Sequence, residues 1–372
     1  PWFQLADEKA TKEITIRQLL DHTSGISEYS GQRVISEGEQ SIKQLVQSLK
    51  ELQLTENVGA TYQYSNLNYS ILGAVIEEVT NTSYADYITS NIFTPLEMKN
   101  SFANPKEDIN DTTAVGYQTP FGIKVPTEQL AHEANVPHGY LISSAQDMAN
   151  YMIALLNNGE FKGESILSKP YINEMKYPSS HMGNELYYGL GWEIHPDMIT
   201  HNGWTENTYT RVILGEEFGV TLLVNSFDYF NSNRYDQLVT NLYQFVQHNE
   251  PLKSSEENPF TIYLIFDFII ALTAAYIAFS IYKIFKQQKR KATPFRSFIH
   301  IVSLVVLHFF IPFLLLFYLT NMVPLSAAAL FLPGIGQALF IIPLFLNMIG
   351  VIKVIQLVRS KARADVSLNE KT

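Results

Sequence analysis

Few side chains in this sequence have the type and setting for acid–base or nucleophilic work. Tyr64 stands in Tyr64-Ser65-Asn66, His201 in His201-Asn202-Gly203, Ser24 in His22-Thr23-Ser24-Gly25, and His132 beside Glu133. An imidazole titrates near about 6.5, whereas a phenol, near about 10, ionises at neutral pH only beside a cation. A serine hydroxyl attacks only when a base takes its proton. Ser24 lacks a Gly-x-Ser-x-Gly frame and reads as a turn residue. His132-Glu133 lacks the second histidine of a metalloprotease helix, so the sequence argues no metal site. With Cys 0, disulfides, thiolate metal ligands and a cysteine nucleophile are excluded. Taken singly, Tyr64 is one of 21 tyrosines and His201 a candidate strand-end surface residue.

These residues need elements to hold them. Thr15-Ile-Arg-Gln18, Ser83-Tyr-Ala-Asp86 and Ser144-Ala-Gln-Asp147 have the spacing that starts helices. The first predicts a short helix over Ile16–Leu20, and the third predicts one to about Leu156, stopped by Asn157-Asn158-Gly159. Ser41–Leu52 and Tyr69–Thr80 carry apolar residues at helical spacing. Past residue 186 the pattern turns to strands: Tyr187–Ile194, then Tyr209–Leu214 and Val220–Asn225 around a Gly215-Glu-Glu-Phe-Gly219 turn. Arg234–Gln247 reads as a closing helix. Helices, then strands, then a helix predict an α+β domain with an antiparallel sheet.

Charge divides the chain. Residues 1–260 hold 15 Lys+Arg and 33 Asp+Glu, a net of −18; residues 261–372 hold 11 and 3, a net of +8, and the sum is the −10 of the whole. The acidic part excludes nucleic acid as a partner, because phosphates need a basic surface. The basic part is a membrane region. Ile262–Tyr282 is apolar apart from Asp267, and neither Phe298–Thr320 nor Asn321–Ile352 has a charged residue. Each supplies the roughly 20 residues that cross a bilayer core of about 30 Å, the third from the later part of its run. Lys283, Lys286, Lys289, Arg290, Lys291 and Arg296 follow the first span, and Lys353, Arg359, Lys361 and Arg363 begin the tail. Positive loops stay in the cytoplasm, so a multi-pass cell-membrane protein is expected, with residues before the first span outside and the C-terminus inside. The expected organisation is an ectodomain over 1–250, a linker over 251–260, three spans over 261–358 and a cytoplasmic tail over 359–372. Asp267 is expected to reach water from near the outer end of its span.

Several segments, in order, resemble a known family. Ile14-Thr-Ile-Arg-Gln-Leu-Leu-Asp-His-Thr-Ser-Gly-Ile26 looks like the segment after the nucleophile helix of class C β-lactamases and their penicillin-binding-protein and esterase relatives. Tyr64-Ser-Asn66 matches their Tyr-x-Asn motif, and Phe93–Met98, Pro137–Ser144 and Tyr188-Gly-Leu-Gly-Trp192 fit the same pattern. His201-Asn-Gly203 stands at the Lys-Thr-Gly strand motif, in its His-x-Gly form. The resemblance covers about residues 1–245 and implies a β-lactamase/transpeptidase-like fold and acyl transfer through a serine ester, with no cofactor. It implies that Tyr64 shuttles protons, that Asn66 holds the substrate carbonyl or the lysine, and that His201 replaces the strand lysine. It further implies that Gly203 lets substrate lie close and that the Trp204 N–H is an oxyanion donor.

One departure is serious. The family's nucleophile comes from Ser-x-x-Lys, one helical turn apart. Only Ser280-Ile-Tyr-Lys283 has that spacing here, and it lies at the far end of the first span. The family places its motif before the segment at Ile14, so the nucleophile is expected to precede Pro1. Expected substrates are a β-lactam, a D-amino-acid peptide of the cell wall or a small ester. The competing expectation is a non-catalytic wall-binding or membrane-interaction protein on the same fold.

Overall fold

The computed structural model describes residues 2–36, 38–104, 113–130, 132–249, 259–286 and 294–369. The chain divides into two compact units, Pro1–Thr119 with Lys124–Glu257, and Pro120–Ile123 with Asn258–Thr372. The expected linker lies almost wholly outside the described residues.

The first unit is a helical region followed by an antiparallel sheet. Helix α1 (Ile16–Leu20) opens on Thr15 with both hydrogen bonds of a capping box. Helix α2 spans Asn66–Thr80 and ends on Asn81 in the left-handed conformation. It begins three residues before the apolar stripe, so Asn66 is its first residue. Ser144 caps helix α3 (Ala145–Leu156) through the Asp147 N–H. The six strands are β1 (Ser180–Gly183), β2 (Leu186–Tyr188), β3 (Glu193–Ile194), β4 (Ile199–Trp204), β5 (Tyr209–Leu214) and β6 (Gly219–Val224). They form one sheet in the order β6-β5-β4-β3-β2-β1.

The strand expected over Tyr187–Ile194 is broken. Gly189 and Trp192 close a turn, their N–H to carbonyl distance being 2.7 Å, with Gly191 at a φ of +82°. A left-handed backbone there suits glycine and ends the strand. Both faces of the sheet are covered, as alternation along β5 requires. Val212 and Leu214 join Met152 and Leu155 of α3 in one core, while Ile213 joins Val239 and Tyr243 of helix α4 (Ser232–His248) in the other.

The second unit is a helix bundle. Helices α5 (Pro259–Phe285), α6 (Pro294–Val305) and α7 (Ile311–Met322) lead to α8 (Ile335–Asn369), with a π-helical turn over Val306–Phe310 joining α6 to α7. Phe260–Phe285, Ser297–Met322 and Ile335–Ser360 are long and apolar enough to cross a membrane. Each has 26 residues, or about 39 Å of helix, against a core of about 30 Å. The third takes up the later part of its apolar run, as expected, and a short helix, Leu325–Phe331, takes up the first part. Lys353 is helical and falls within the third of these segments. Asp267 is half-buried, and its Oδ1 is buried with no partner among the described residues.

Candidate active site

The end of α1 and the start of α2 are tied together by polar side chains. His22 adopts a φ of +59°, a left-handed conformation unusual for a residue with a Cβ. Its Nδ1 accepts from the Ser65 N–H at 3.2 Å and lies 3.0 Å from Asn68 Nδ2. A backbone N–H only donates, so the ring proton sits on Nε2, which is buried without a partner among the described residues. Ser65 Oγ donates to the Ser27 carbonyl at 3.0 Å, and Ser24 Oγ to Asn68 Oδ1 at 2.7 Å. Both serines are fully buried. Ser24 is thus the turn residue its frame indicates, and neither hydroxyl is free to attack.

This scaffold holds Tyr64 against the sheet. The Tyr64 ring lies 4.4 Å from the His22 ring and 6.4 Å from the His201 ring, centre to centre. Tyr188 completes the group: its hydroxyl is 3.0 Å from His201 Nε2, and its ring is 4.9 Å from His22. His201 Nδ1 lies 2.6 Å from the Asn202 carbonyl oxygen, which only accepts, so Nδ1 carries the proton and Nε2 accepts from Tyr188. Neither the Tyr64 hydroxyl nor the half-buried Asn66 amide has a hydrogen-bond partner among the described residues.

The strand beside them offers an open edge. β5 pairs with β4 along its whole length, Ile199 to Trp204, whereas β3 pairs only with Ile199 and Thr200. Thr205 N–H bonds the Thr208 carbonyl across the β4–β5 turn at 3.1 Å. Hydrogen bonds alternate along an antiparallel strand, so the His201 and Gly203 amides face β5 and those of Asn202 and Trp204 face the unpaired edge. Gly203 has a second reason to lack a side chain: a Cβ there would meet Thr210 Oγ1 at 2.6 Å. The Trp204 indole is turned elsewhere, stacked on Phe227 at 5.4 Å.

Electrostatically the site is neutral. Burial, and then the negative charges of Glu28 and Glu193, push the Tyr64 phenol up to about 12. That is the direction opposite to activation: Tyr64 stays a proton donor until a cation is placed beside it. Burial, and then proximity to His201, push His22 down to about 3. Burial also lowers His201 below its ordinary value, against the raising effect of its bond to the Asn202 carbonyl. Both rings are therefore neutral at neutral pH. No group of His, Cys, Asp and Glu suited to a metal occurs among the described residues.

The structure thus brings together Tyr64, His201 and the Trp204 amide edge, with Asn66 two residues from Tyr64. His22 and Tyr188 join them unannounced by the sequence. Both lie within the quoted motifs, in His22-Thr-Ser-Gly25 and Tyr188-Gly-Leu-Gly-Trp192, so the signal was present without a role attached.

Comparison with known proteins agrees with this fold. Residues 2–243 match the family model Beta-lactamase, and the chain belongs to that family. Protein flp of Staphylococcus aureus strain MW2 is 27% identical over 256 residues, covering 67% of this chain and 50% of flp. The chain spans about half the length of the curated relatives it matches. FmtA of Staphylococcus aureus superposes with a TM-score of 0.55 at 20% identity, covering 69% of this chain and 68% of FmtA. The D-amino acid amidase of Ochrobactrum anthropi SV3, complexed with L-phenylalanine amide, gives 0.54 at 20%, covering 67% of this chain and 78% of the amidase.

Proposed function

We propose that this chain belongs to a membrane-anchored serine hydrolase that cleaves an amide or ester through an acyl-enzyme. The observation that carries the reading is the unpaired β4 edge beside Tyr64, with its ring 6.4 Å from that of His201. A substrate strand laid along that edge meets the Asn202 and Trp204 amides, and a carbonyl oxygen turned to the Trp204 N–H develops its charge against a fixed donor. Tyr64 passes a proton between nucleophile and leaving group, Asn66 holds the carbonyl or a lysine, and the neutral His201, oriented by Tyr188, donates or accepts without adding charge. Substrates are drawn from cell-wall D-amino-acid peptides, β-lactams and small esters; a relative of the fold named for D-amino acids supports the first. The nucleophile belongs to a Ser-x-x-Lys pair outside the site residues seen here, because Ser280 is in the apolar bundle. The ectodomain faces outward, and the basic stretch after the first span faces the cytoplasm.

The test is expression of the gene's whole reading frame in membranes, followed by fluorescent penicillin and a D-phenylalanine amide substrate. Covalent labelling or amide turnover that depends on Tyr64 is the expected result. A product that neither labels nor turns over substrate, yet retains peptidoglycan, supports the wall-binding reading instead. Orientation is checked separately: Gln288→Cys gives a single cysteine, since the chain has none. Labelling of that residue on intact cells by a membrane-impermeant thiol reagent overturns the topology.

A further inference from the structure

The bundle contains a polar cluster that has no part in the chemistry above. Ser280 of α5 and His308 of the π-helical turn are each 2% exposed, and Tyr276 of α5 and Lys353 of α8 are half-buried. Lys353 Nζ lies 3.1 Å from Ser280 Oγ and 3.0 Å from His308 Nε2. The Tyr276 hydroxyl is 3.2 Å from the same Nε2, and the ammonium is 5.4 Å from the Tyr276 ring centre. Segments from all three spans therefore meet at one ammonium. Gly350 permits the approach of α8: a Cβ there would meet His308 Cβ at 2.7 Å and the Phe309 ring at 2.8 Å. A π-turn carries His308, and such turns occur frequently at functional sites.

The simpler account of a lysine in a span is that it reaches the interface. Lys353 stands seven residues before Ser360, the end of its span, about 10 Å along the helix and within reach of its stem. It turns across the bundle instead. No acid receives it there. The only Asp or Glu in the three spans is Asp267, 13 residues before Ser280 and about 20 Å away along α5. A second cation, Lys283, follows Ser280 by one turn. An ammonium has three N–H groups, and Ser280 and His308 account for two. An anion that joined this cluster would offset the cost of holding a charge in hydrocarbon.

Depth indicates which anion. The cluster lies toward the end of α5 from which the basic stretch Lys283–Arg296 continues, where acyl chains give way to the headgroups of one leaflet. We infer that Lys353, His308, Ser280 and Tyr276 form a binding site for the phosphate group of an anionic phospholipid. Lys353 supplies the charge and the two hydroxyls supply hydrogen bonds, while His308 Nε2, accepting from Lys353, holds the ammonium in place. Basic pockets between helices bind headgroups in this way.

The experiment uses the purified 372-residue chain. It measures retention of phosphatidylglycerol against phosphatidylcholine by native mass spectrometry, with inorganic phosphate as a third arm. Wild type should retain phosphatidylglycerol preferentially. Lys353→Met should lower that preference about fivefold, the ratio equivalent to about 1 kcal/mol for one basic residue. Lys353→Arg should keep it, as should Lys286→Gln, which changes a cation outside the cluster. If Lys353→Met does not fold, Ser280→Ala replaces it and should weaken the preference. Equal retention of the two lipids by wild type overturns the proposal. So does an undiminished preference in Lys353→Met, which would leave the cluster as glue between helices. Protection by inorganic phosphate equal to that by phosphatidylglycerol assigns the site to a soluble phosphate and overturns the lipid.

Discussion

Two histidines, each bonded to a tyrosine hydroxyl, show how differently the two units treat a buried polar group. In the first unit His201 accepts from Tyr188 at 3.0 Å, and the charges that act on the neighbouring Tyr64 are the carboxylates Glu28 and Glu193. In the bundle His308 lies 3.2 Å from the Tyr276 hydroxyl and 3.0 Å from an ammonium, and Asp267 is the only acid in the three spans. The first arrangement keeps its rings neutral and its phenol protonated. The second keeps a cation and lacks an anion. The proposed partners differ accordingly: a Ser-x-x-Lys pair for the first, a phosphate for the second.

The largest effect expected is an absolute one. The chain of residues 1–372 should form no covalent adduct with fluorescent penicillin, because the serines at its site are buried and committed to Asn68 and Ser27. Loss of a serine nucleophile costs about 10⁶-fold in related chemistry. A labelled band from this chain would break the comparison by showing that a serine among these residues acts as the nucleophile. Next in size is Tyr64→Phe in the product of the whole reading frame. Removal of a proton shuttle should lower kcat by about 10²–10⁴, with a smaller change in KM, since the ring and its packing on His22 remain. An unchanged kcat would remove Tyr64 from the proton path.

How much of this was legible depends on what each feature needs from its surroundings. The spans are local: composition over about 20 residues decides them, and three helices occur where the apolar runs are. The capping box at Thr15 is equally local and forms as read, whereas at Ser144 only the half that accepts from the Asp147 N–H forms, because the Asp147 carboxylate accepts from Asn100 and Ser101 instead. The motif order was legible only by resemblance, since Tyr64 and His201 are 137 positions apart and nothing in their spacing brings them together. The break at Gly189–Trp192 was hidden because alternation on both sides of the turn looks like one strand. The partnership of Lys353 with Ser280 and His308 was hidden because side-chain direction in a helix depends on packing against the others. Sequence marked Lys353 as the start of a tail and Ser280 as a stray Ser-x-x-Lys; the fold joins them.

A smaller effect separates the units by pH. His22 and His138 are both pushed down to about 3, in each case chiefly by burial. A histidine held neutral in the fold but free to protonate when unfolded contributes stability that is full above about pH 6.5 and declines below it. Each should cost about 1.4 kcal/mol per pH unit as pH falls from 6.5 toward 3. Glu77 and Glu193, whose carboxyls are raised by burial, act in the opposite sense at the low end. Thermal unfolding of the first unit followed from pH 7 to 5 should therefore show a falling midpoint, and His138→Gln should flatten the fall. A midpoint independent of pH over that range would mean that these rings are solvated and that the neutral character of the site is wrong.

The smallest effect, and the sharpest probe of the contrast, is placing in the first unit the cation that the bundle keeps. His201→Lys in the whole reading frame substitutes an ammonium for the imidazole that accepts from Tyr188. The wild-type ring is neutral at pH 7, and burial places its protonation below the usual 6.5. As pH falls through that lowered value Nε2 gains a proton and stops accepting from the Tyr188 hydroxyl, so activity should fall along an acidic limb. Lysine stays charged throughout this range, so the variant should lose that limb or move it. Its activity at pH 7 should change by less than about tenfold, because neither residue is the nucleophile or the main proton shuttle. The ammonium also favours ionisation of Tyr64 by placing positive charge beside the ring, so the basic limb should move to lower pH. These two shifts have opposite causes, loss of a titrating group and a new charge on its neighbour, and a rate profile from pH 4 to 10 resolves them. Profiles that superimpose would show that His201 neither titrates in catalysis nor senses Tyr64, leaving it a packing residue at the end of an open strand.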